Sequence, residues 1–310
     1  MVSNDKIKGY WLLWLLVALA AGVAIVQGLS FSEFFNLNGP AMLVIVSILF
    51  TFYHAYKRYG LRDFSVFLVM VFIIGNIYEN TSICTGFPFG NYHYTDSLGP
   101  KFLYTPLIIN IAYFQMIYIC WTLSGVVIDY FKNRVSGIYI LLQPLTAMFL
   151  MVMWDLVIDP YMSTMSHHWE WLEGGAYFGV PLSNYLGWFL CVFTMYLIFA
   201  LYISKKSTVT TPGFVFQKGY WAQFVCLYLT WPLSFLIKGL CIPAETITAF
   251  NGQLWNVKDI SQTAGLAGLC TMLFVGFVVI LKVYVQNSLN AKMSISDSSG
   301  HKFGKHSGSM

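Results

Sequence analysis

The sequence predicts an all-α, polytopic membrane protein built as a bundle of about eight transmembrane helices. Of its 310 residues, 57% are hydrophobic and only 10% are charged, whereas soluble domains carry about 25% charged residues. The apolar residues form continuous runs, most of them near the roughly 20 residues that a spanning helix needs. Because these runs do not alternate between apolar and polar positions, the sequence does not fit the strands of a membrane barrel.

Eight apolar runs are the predicted spans, and the second is shorter than the others. They cover residues 10–29, 40–56, 64–83, 103–128, 138–158, 184–204, 220–240 and 263–285. We expect residues 1–289 to form a single transmembrane domain. The segment 290–310 is rich in Ser, Gly, His and Lys, a composition typical of disorder, and it is predicted to be a disordered cytoplasmic tail.

Basic residues predict the orientation of the bundle. With a cytoplasmic N-terminus, 14 of the 17 Lys and Arg residues fall on the cytoplasmic side, and three fall on the opposite side: Lys101, Lys238 and Lys258. Both termini are therefore expected in the cytoplasm. Nine of the 13 Asp and Glu residues lie on the opposite, outer side. The positive-inside rule does not require this distribution of acids, so it calls for a functional explanation.

Glu79 is the first candidate for chemistry. It lies about 15 residues into the third run, in GNIYEN, which corresponds to roughly 23 Å along a helix in a hydrocarbon core of about 30 Å. An ionisable side chain at such a depth is costly and marks a candidate functional site. The alternative is a structural carboxyl at the helix end that is hydrated or bonded to Asn76 or Asn80.

Asp155 and Asp159, in WDLVIDP, form the second candidate. Residues four apart share one helix face, and two close carboxyls in apolar surroundings do not both ionise easily. One of them is therefore expected to keep a proton and to serve as an acid for a weakly basic substrate. For Asp159 the structural alternative is strong, because Asp-Pro is a common helix-ending pair.

Two outer loops are rich in aromatic residues and are structured by Gly and Pro. They read TGFPFGNYHYTDSLGPK after the third run and PYMSTMSHHWEWLEGGAYFGVPLSNY after the fifth. A belt of interfacial aromatic residues explains scattered Trp and Tyr, but it does not explain two such loops on one side only. We expect the first loop to fold back as a lid over the helix ends. The three histidines of these loops lack the spacing of a metal site, and no metal or cofactor is predicted.

The composition excludes several other classes of function. The net charge of +4 comes without a Lys/Arg cluster, so no nucleic-acid partner is indicated. The outer side is too poor in Lys and Arg to bind a diphosphate. The six cysteines fit neither a disulfide framework nor a zinc site. Cys84 and Cys241 fall in loops on the same side, so a pair between them is the alternative to the expectation that all six are unpaired. An acid within an aromatic, apolar pocket instead suits the protonation of an alkene to a tertiary carbocation, which aromatic faces stabilise.

The same motifs carry a resemblance to a known family. The stretch GFPFGNYHYTDSLGPK, followed by TPLIINIAYFQM, and the stretches WDLVIDPYM, HHWEW and GAYFGVPLSNYLGW closely resemble the membrane carotenoid hydratases of the bisanhydrobacterioruberin and γ-carotene hydratase kind. The resemblance covers residues 75–188. It implies addition of water to the terminal double bond of an acyclic end group, and it places Glu79, Asp155, Asp159 and Asn184 in shared motifs.

From these observations the sequence predicts a hydro-lyase that hydrates a carotenoid or related isoprenoid alkene, with lipid, substrate and water as its partners. Asp155 is the predicted acid, Asp159 its coupled partner, and Glu79 the residue that orients water or relays the proton. The predicted binding residues are of two kinds. Asn184, Tyr92 and Tyr94 position water and shape the pocket, and Trp154, Trp169 and Trp171 face the cation. The alternatives are an isoprenoid cyclase that uses the same acid without water, and a lipid-binding or transport protein.

Overall fold

The protein is a helical bundle, seen in a computed structural model that describes residues 10–30, 33–206 and 218–285. The predicted tail, 290–310, lies outside the described residues. Within the described residues, seven helices are long and apolar enough to cross a membrane. The prediction of an all-α polytopic membrane bundle is therefore confirmed.

Seven α-helices follow one another along the described part of the chain. They are α1 (Tyr10–Leu29), α2 (Glu33–Thr85), α3 (Leu107–Val127), α4 (Tyr139–Asp159), α5 (Leu182–Ser204), α6 (Lys218–Cys241) and α7 (Val257–Gly268). Helix α2 contains two of the eight predicted runs. Its backbone is non-helical at Gly60, with φ of 75° and ψ of 170°, a conformation that glycine adopts without steric cost. The eight runs thus correspond to seven helices, one of them broken at Gly60.

Two helices continue beyond their α-helical part through a π-helical turn. Helix α4 runs on through Pro160–Met165, where the Ser166 N–H donates to the Tyr161 carbonyl at 2.9 Å. The α-helical part thus ends at the Asp-Pro pair, as the structural alternative for Asp159 expects, but the span continues past this pair through the π-helical turn. Helix α7 runs on through Leu269–Leu273, and its whole apolar span is Val257–Val285.

Three connections at one end of the bundle carry all the strands of the described residues. These strands are β1 (Tyr92–Tyr94), β2 (Lys101–Phe102), β3 (Thr105–Pro106), β4 (Trp169–Trp171), β5 (Thr246–Thr248) and β6 (Leu254–Asn256). Antiparallel pairs form between β1 and β4, β2 and β3, and β5 and β6. Because successive spans alternate in direction, the connections α2–α3, α4–α5 and α6–α7 meet at the same end, which is the predicted outer end.

The other half of the bundle is closely packed by aromatic side chains. Phe67 of α2 stacks on Phe199 of α5 with ring centroids 3.8 Å apart, and Trp121 of α3 donates its indole N–H to Tyr59 at 2.9 Å. All six cysteines are free in this structure. A cavity lies at the opposite, strand-bearing end of the bundle.

Candidate active site

A cavity of about 200 Å³ lies at the strand-bearing end, between helices α2 to α6. The nine side chains that the sequence predicts as site residues all line it: Glu79, Tyr92, Tyr94, Trp154, Asp155, Asp159, Trp169, Trp171 and Asn184. They come from α2, α4 and α5 and from the two paired strands β1 and β4. Their hydrogen bonds divide them into two clusters, each built around carboxyl groups.

The first cluster joins the two aspartates of α4 through one amide. Asn184, in the first turn of α5, donates its Nδ2 to Asp155 Oδ2 at 3.1 Å and to Asp159 Oδ2 at 2.6 Å. Trp169 of β4 donates its indole N–H to Asp159 Oδ1 at 2.8 Å. All three polar side chains of α4 and α5 are buried, each no more than 3% exposed. Asp159 thus accepts two hydrogen bonds and Asp155 accepts one in the described part of the chain.

The second cluster surrounds Glu79 with tyrosine hydroxyls. Tyr92 and Tyr94, on β1, donate to Glu79 Oε2, the latter at 3.1 Å, and Tyr113 of α3 donates to Glu79 Oε1. Burial, together with the charge of Glu79, raises the pKa values of Tyr92 and Tyr94 well above the ordinary tyrosine value of 10. Both hydroxyls therefore keep their protons and remain donors. A carboxylate has about four acceptor sites, so three donors leave one site open.

The asparagines near Glu79 have other partners. Asn76 donates to the Phe72 carbonyl at 2.8 Å and to Asn110 Oδ1 at 2.7 Å, while Asn80 accepts from the Tyr104 backbone N–H at 2.9 Å. These bonds fix the end of α2 to α3 and to the loop that precedes it. Glu79 is therefore held by three tyrosines, and not by Asn76 or Asn80 as the structural alternative supposes.

The two aromatic loops pair with each other across the cavity. Strand β1 of the first loop lies antiparallel to β4 of the second, with Tyr92 opposite Trp171 and Tyr94 opposite Trp169. Residues alternate along the pair, so these four rings point toward the bundle. His93 Nε2 and Glu170 Oε2, also on opposite residues of the pair, lie 3.1 Å apart outside the cavity. Phe89 of the first loop lines the cavity, whereas Phe87 is 65% exposed.

Aromatic rings form much of the cavity wall. Trp154 of α4 meets Trp231 of α6 edge to face with centroids 5.8 Å apart, and Trp188 of α5 meets Tyr113 in the same way at 4.8 Å. The indole N–H groups of Trp154 and Trp171 are buried and find no hydrogen-bond partner among the described residues. An unpaired buried donor costs about 1–3 kcal/mol, and both nitrogen atoms are enclosed by the surrounding side chains.

Sequence reasoning missed three residues of this wall: Tyr113, Trp188 and Trp231. Each lies inside a continuous apolar run. Within such a run, the sequence does not distinguish an aromatic residue that faces a cavity from one that faces lipid. The available signal is for Tyr113 and Trp188, which both lie in motifs of the noted family resemblance. The position of Tyr113 one helix away from Glu79 appears only when α2 and α3 are packed together.

The remaining histidines of the loops make local contacts. His167 Nδ1 lies 3.5 Å from Glu170 Oε1, and Ser97 and the His168 Nδ1 are 2.8 Å apart. Burial, with His167 nearby, lowers the pKa of His168, so its ring is neutral at neutral pH. In the described part of the chain no group of three or more His, Cys, Asp or Glu side chains is placed to hold a metal ion.

Comparison with known proteins gives one family and one curated relative. The sequence model of the family described as "carotenoid biosynthesis protein" matches residues 39–254. Bisanhydrobacterioruberin hydratase of Haloarcula japonica is 27% identical over 186 residues, which cover 59% of this chain. The chain spans 59% of the length of that relative. No solved structure matches the chain. The family match takes in every residue of both carboxyl clusters.

Proposed function

Since this chain belongs to the carotenoid biosynthesis protein family, we propose that it is a carotenoid hydratase, which adds water to the terminal double bond of an acyclic end group. The similarity to a protein named bisanhydrobacterioruberin hydratase supports this reaction class. The proposal rests above all on one observation: two aspartates that share an amide donor line a cavity whose walls are aromatic.

The unequal hydrogen bonding of the aspartates supports their division of roles. Donors stabilise a carboxylate relative to the neutral acid. Asp159, which accepts from Asn184 and Trp169, is the partner that stays ionised. Asp155 accepts from Asn184 alone among the described residues, so it is the one that holds the shared proton. Asn184 and Trp169 are then positioning residues that keep this pair in one arrangement.

The reaction proceeds in two steps through a cation. Asp155 gives its proton to the less substituted carbon of the terminal double bond, so a C–H bond forms, the π bond breaks and the neighbouring carbon becomes a tertiary cation. The faces of Trp154, Trp171 and Trp188 stabilise this cation, since aromatic rings attract positive charge. Water then adds its oxygen to the cation and releases one proton, which restores the acid. The net change is the addition of one water.

Water needs polar contacts inside this apolar cavity. Glu79 retains one acceptor site beyond its three tyrosine donors, which can hold a water by one of its hydrogens. This open acceptor site favours hydration over cyclisation, because water is the reactant that it can hold.

Isotope incorporation tests the proposal directly. The purified protein in lipid vesicles is given an acyclic carotenoid with a terminal double bond, once in ¹⁸O-labelled water and once in D₂O. We expect ¹⁸O in a tertiary hydroxyl at the chain end and one deuterium on the adjacent carbon. The same protein, placed in a lycopene-making host, should yield a pigment heavier by one water.

The other outcomes separate the rival functions. A product that contains new deuterium but no new oxygen, and whose mass includes no added water, indicates a cyclase or an isomerase that uses the same acid. A carotenoid recovered with neither label indicates a lipid-binding or transport protein, and it removes acid chemistry from Asp155 and Asp159.

A further inference from the structure

We propose that the mouth of the cavity is a lateral portal, through which the long apolar part of the isoprenoid substrate lies in the membrane while one end reaches the aspartates. This inference rests on the proposed function and identifies where the rest of the substrate binds. The mouth has an apolar edge, formed by Ala41 of α2 and by Ile108 and Ala112 of α3. Its polar edge consists of Ser97 and His168.

Exposure along the cavity wall locates this mouth. The acidic residues of both clusters are buried, as are Trp154 and Trp171. By contrast, Ala41 and Ser97 are exposed, and Ile108, Ala112 and His168 are partly exposed. The wall is therefore closed around the carboxyl groups and open between Ala41 of α2 and the first two turns of α3.

The size of the cavity requires an opening for a long substrate. An engineered cavity of about 150 Å³ in another protein holds one benzene molecule, and this cavity has about 200 Å³. It thus accommodates one end group of an acyclic carotenoid, a molecule many times longer than benzene. The remainder of the polyene has to leave through the mouth.

The apolar edge of the mouth lies within the spans. Ala41 is the third residue of the span Gly39–Thr85, and Ile108 and Ala112 fall in the first two turns of the span Leu107–Val127. Neighbouring side chains on the same helices, such as Ile45 and Ile111, are exposed apolar groups that suit contact with lipid. A substrate dissolved in the bilayer therefore reaches the aspartates without crossing water.

The two alanines at the mouth fill little of the opening. Ala41 and Ala112 extend no further than Cβ, and both line the cavity. Deeper in the bundle larger rings fill the same interface, and Phe52 of α2 meets Phe114 of α3 with centroids 5.3 Å apart. The interface between α2 and α3 is thus filled toward the cytoplasmic half and open toward the outer end.

The polar edge is held in place by the loops. Ser97 and the Nδ1 atom of His168 lie 2.8 Å apart, and the Thr95 backbone N–H donates to the His168 carbonyl at 3.1 Å. These contacts tie the first aromatic loop to the second at the rim. A chain that leaves the cavity is thereby directed toward the alanines of α2 and α3.

Two variants narrow the portal: Ala112→Phe and Ala41→Phe, each made in the full-length protein. We compare kcat/KM for an acyclic carotenoid with kcat/KM for a short isoprenoid alkene that carries the same end group. The ratio of long to short substrate is expected to fall about tenfold or more, since pockets discriminate by 10-fold to 200-fold for small differences in filled volume. Ile111→Phe, on the lipid-facing side of α3, is the matched control and is expected to keep the wild-type ratio.

An unchanged ratio in both alanine variants would overturn the portal, and so would an equal loss for the long and the short substrate. A second readout does not depend on turnover: binding of the long polyene, measured by quenching of tryptophan fluorescence, should weaken in Ala112→Phe and not in Ile111→Phe. If the wild-type protein converts neither substrate, the proposed function fails, and this binding comparison still decides the portal.

Discussion

Asp155 and Asp159 differ in their hydrogen bonds, and this difference predicts different effects of the same substitution. Asp155→Asn keeps the shape of the side chain and removes its proton, so turnover should fall by about 10²- to 10⁴-fold, the usual contribution of a general acid. Asp159→Asn should cost less, because Asp159 acts through its partner. Rates of hydration by purified variants in vesicles measure both effects.

The control for this pair is Asp96→Asn. Asp96 belongs to the same outer loops, but its side chain is fully exposed and pairs with Lys101 at 3.0 Å. Its substitution should leave turnover at the wild-type value. Substantial residual activity in Asp155→Asn, with the protein inserted and folded, would show that Asp155 is not the acid.

Tyr113 is a residue of the site that only the packed structure reveals, and it gives the second prediction. Tyr113→Phe removes one of three donors to Glu79, and a hydrogen bond to a charged group contributes about 1.5–3 kcal/mol. If Glu79 orients the attacking water, kcat should fall by roughly 10- to 100-fold with little change in KM. Steady-state kinetics on the acyclic carotenoid provide the measurement.

Tyr228→Phe is the matched control for Tyr113→Phe. Its hydroxyl is also buried and donates to the Leu150 carbonyl at 2.7 Å, away from the cavity. This control should lower stability without a selective loss of kcat. Equal kinetic effects in the two variants would mean that Tyr113 supports the fold and not the function of Glu79.

At the scale of elements, the lid over the cavity depends on close contact between the first aromatic loop and α5. A Cβ atom at Gly187 would lie 2.6 Å from the Phe89 ring and 2.9 Å from the Pro88 carbonyl. Since the loop backbone has to move, Gly187→Ala should reduce the free energy of unfolding by about 1–3 kcal/mol. It should also reduce turnover, because Phe89 lines the cavity. Thermal melts and rates of hydration test the two effects.

Gly22→Ala provides the comparison at the same scale. Gly22 lies within α1, and a Cβ atom there has nothing within 4 Å, so alanine should be tolerated or should stabilise the helix slightly. A Gly187→Ala variant as stable and active as Gly22→Ala would show that the lid does not require this close approach.

The two ends of the bundle's sequence differ in how well hydropathy predicts the bounds of a helix. Hydropathy predicts α1 at its observed bounds, because lipid contact demands an unbroken apolar run. It placed the start of the last span at residue 263, whereas α7 begins at Val257. The first turn contains Lys258 and Asp259, which hydropathy excludes, but the Asn256 side chain caps it by accepting from both backbone N–H groups. A polar first turn with its own cap is therefore missed by a hydropathy window.

The candidate site was predictable to the extent that its residues are polar. A carboxyl within an apolar run stands out in the sequence, and this is how Glu79 and Asp155 were identified. Which groups bond them depends on the packing of helices that are distant in the chain. The roles of Tyr113 and Trp231 therefore could not be predicted from the sequence. An aromatic residue within a span looks the same in the sequence whether it faces lipid, the core or a cavity.

At the scale of the whole molecule, the distribution of charge predicts the side of the membrane on which the cavity lies. Fourteen of the 17 basic residues fall on the side assigned to the cytoplasm, and this bias orients membrane proteins. The cavity lies at the opposite end, with the loops that carry β1 and β4. A reporter fused after Lys205 should therefore read cytoplasmic, and one fused near Gly174 should read external, since α5 (Leu182–Ser204) separates the two points.

Native cysteines allow the same prediction to be tested without a fusion. Cys84, at the end of α2, and Cys241, at the end of α6, are exposed at the cavity end of the bundle. A membrane-impermeant thiol reagent should label both in intact cells and should fail to do so in Cys84→Ser/Cys241→Ser. Cys226 and Cys270, also exposed, lie within the spans and should stay unlabelled because a charged reagent does not enter the hydrocarbon core. Labelling of Cys84 and Cys241 only after the membrane is permeabilised would place the aspartates at the cytoplasmic face, and two reporters on the same side would contradict the arrangement of spans itself.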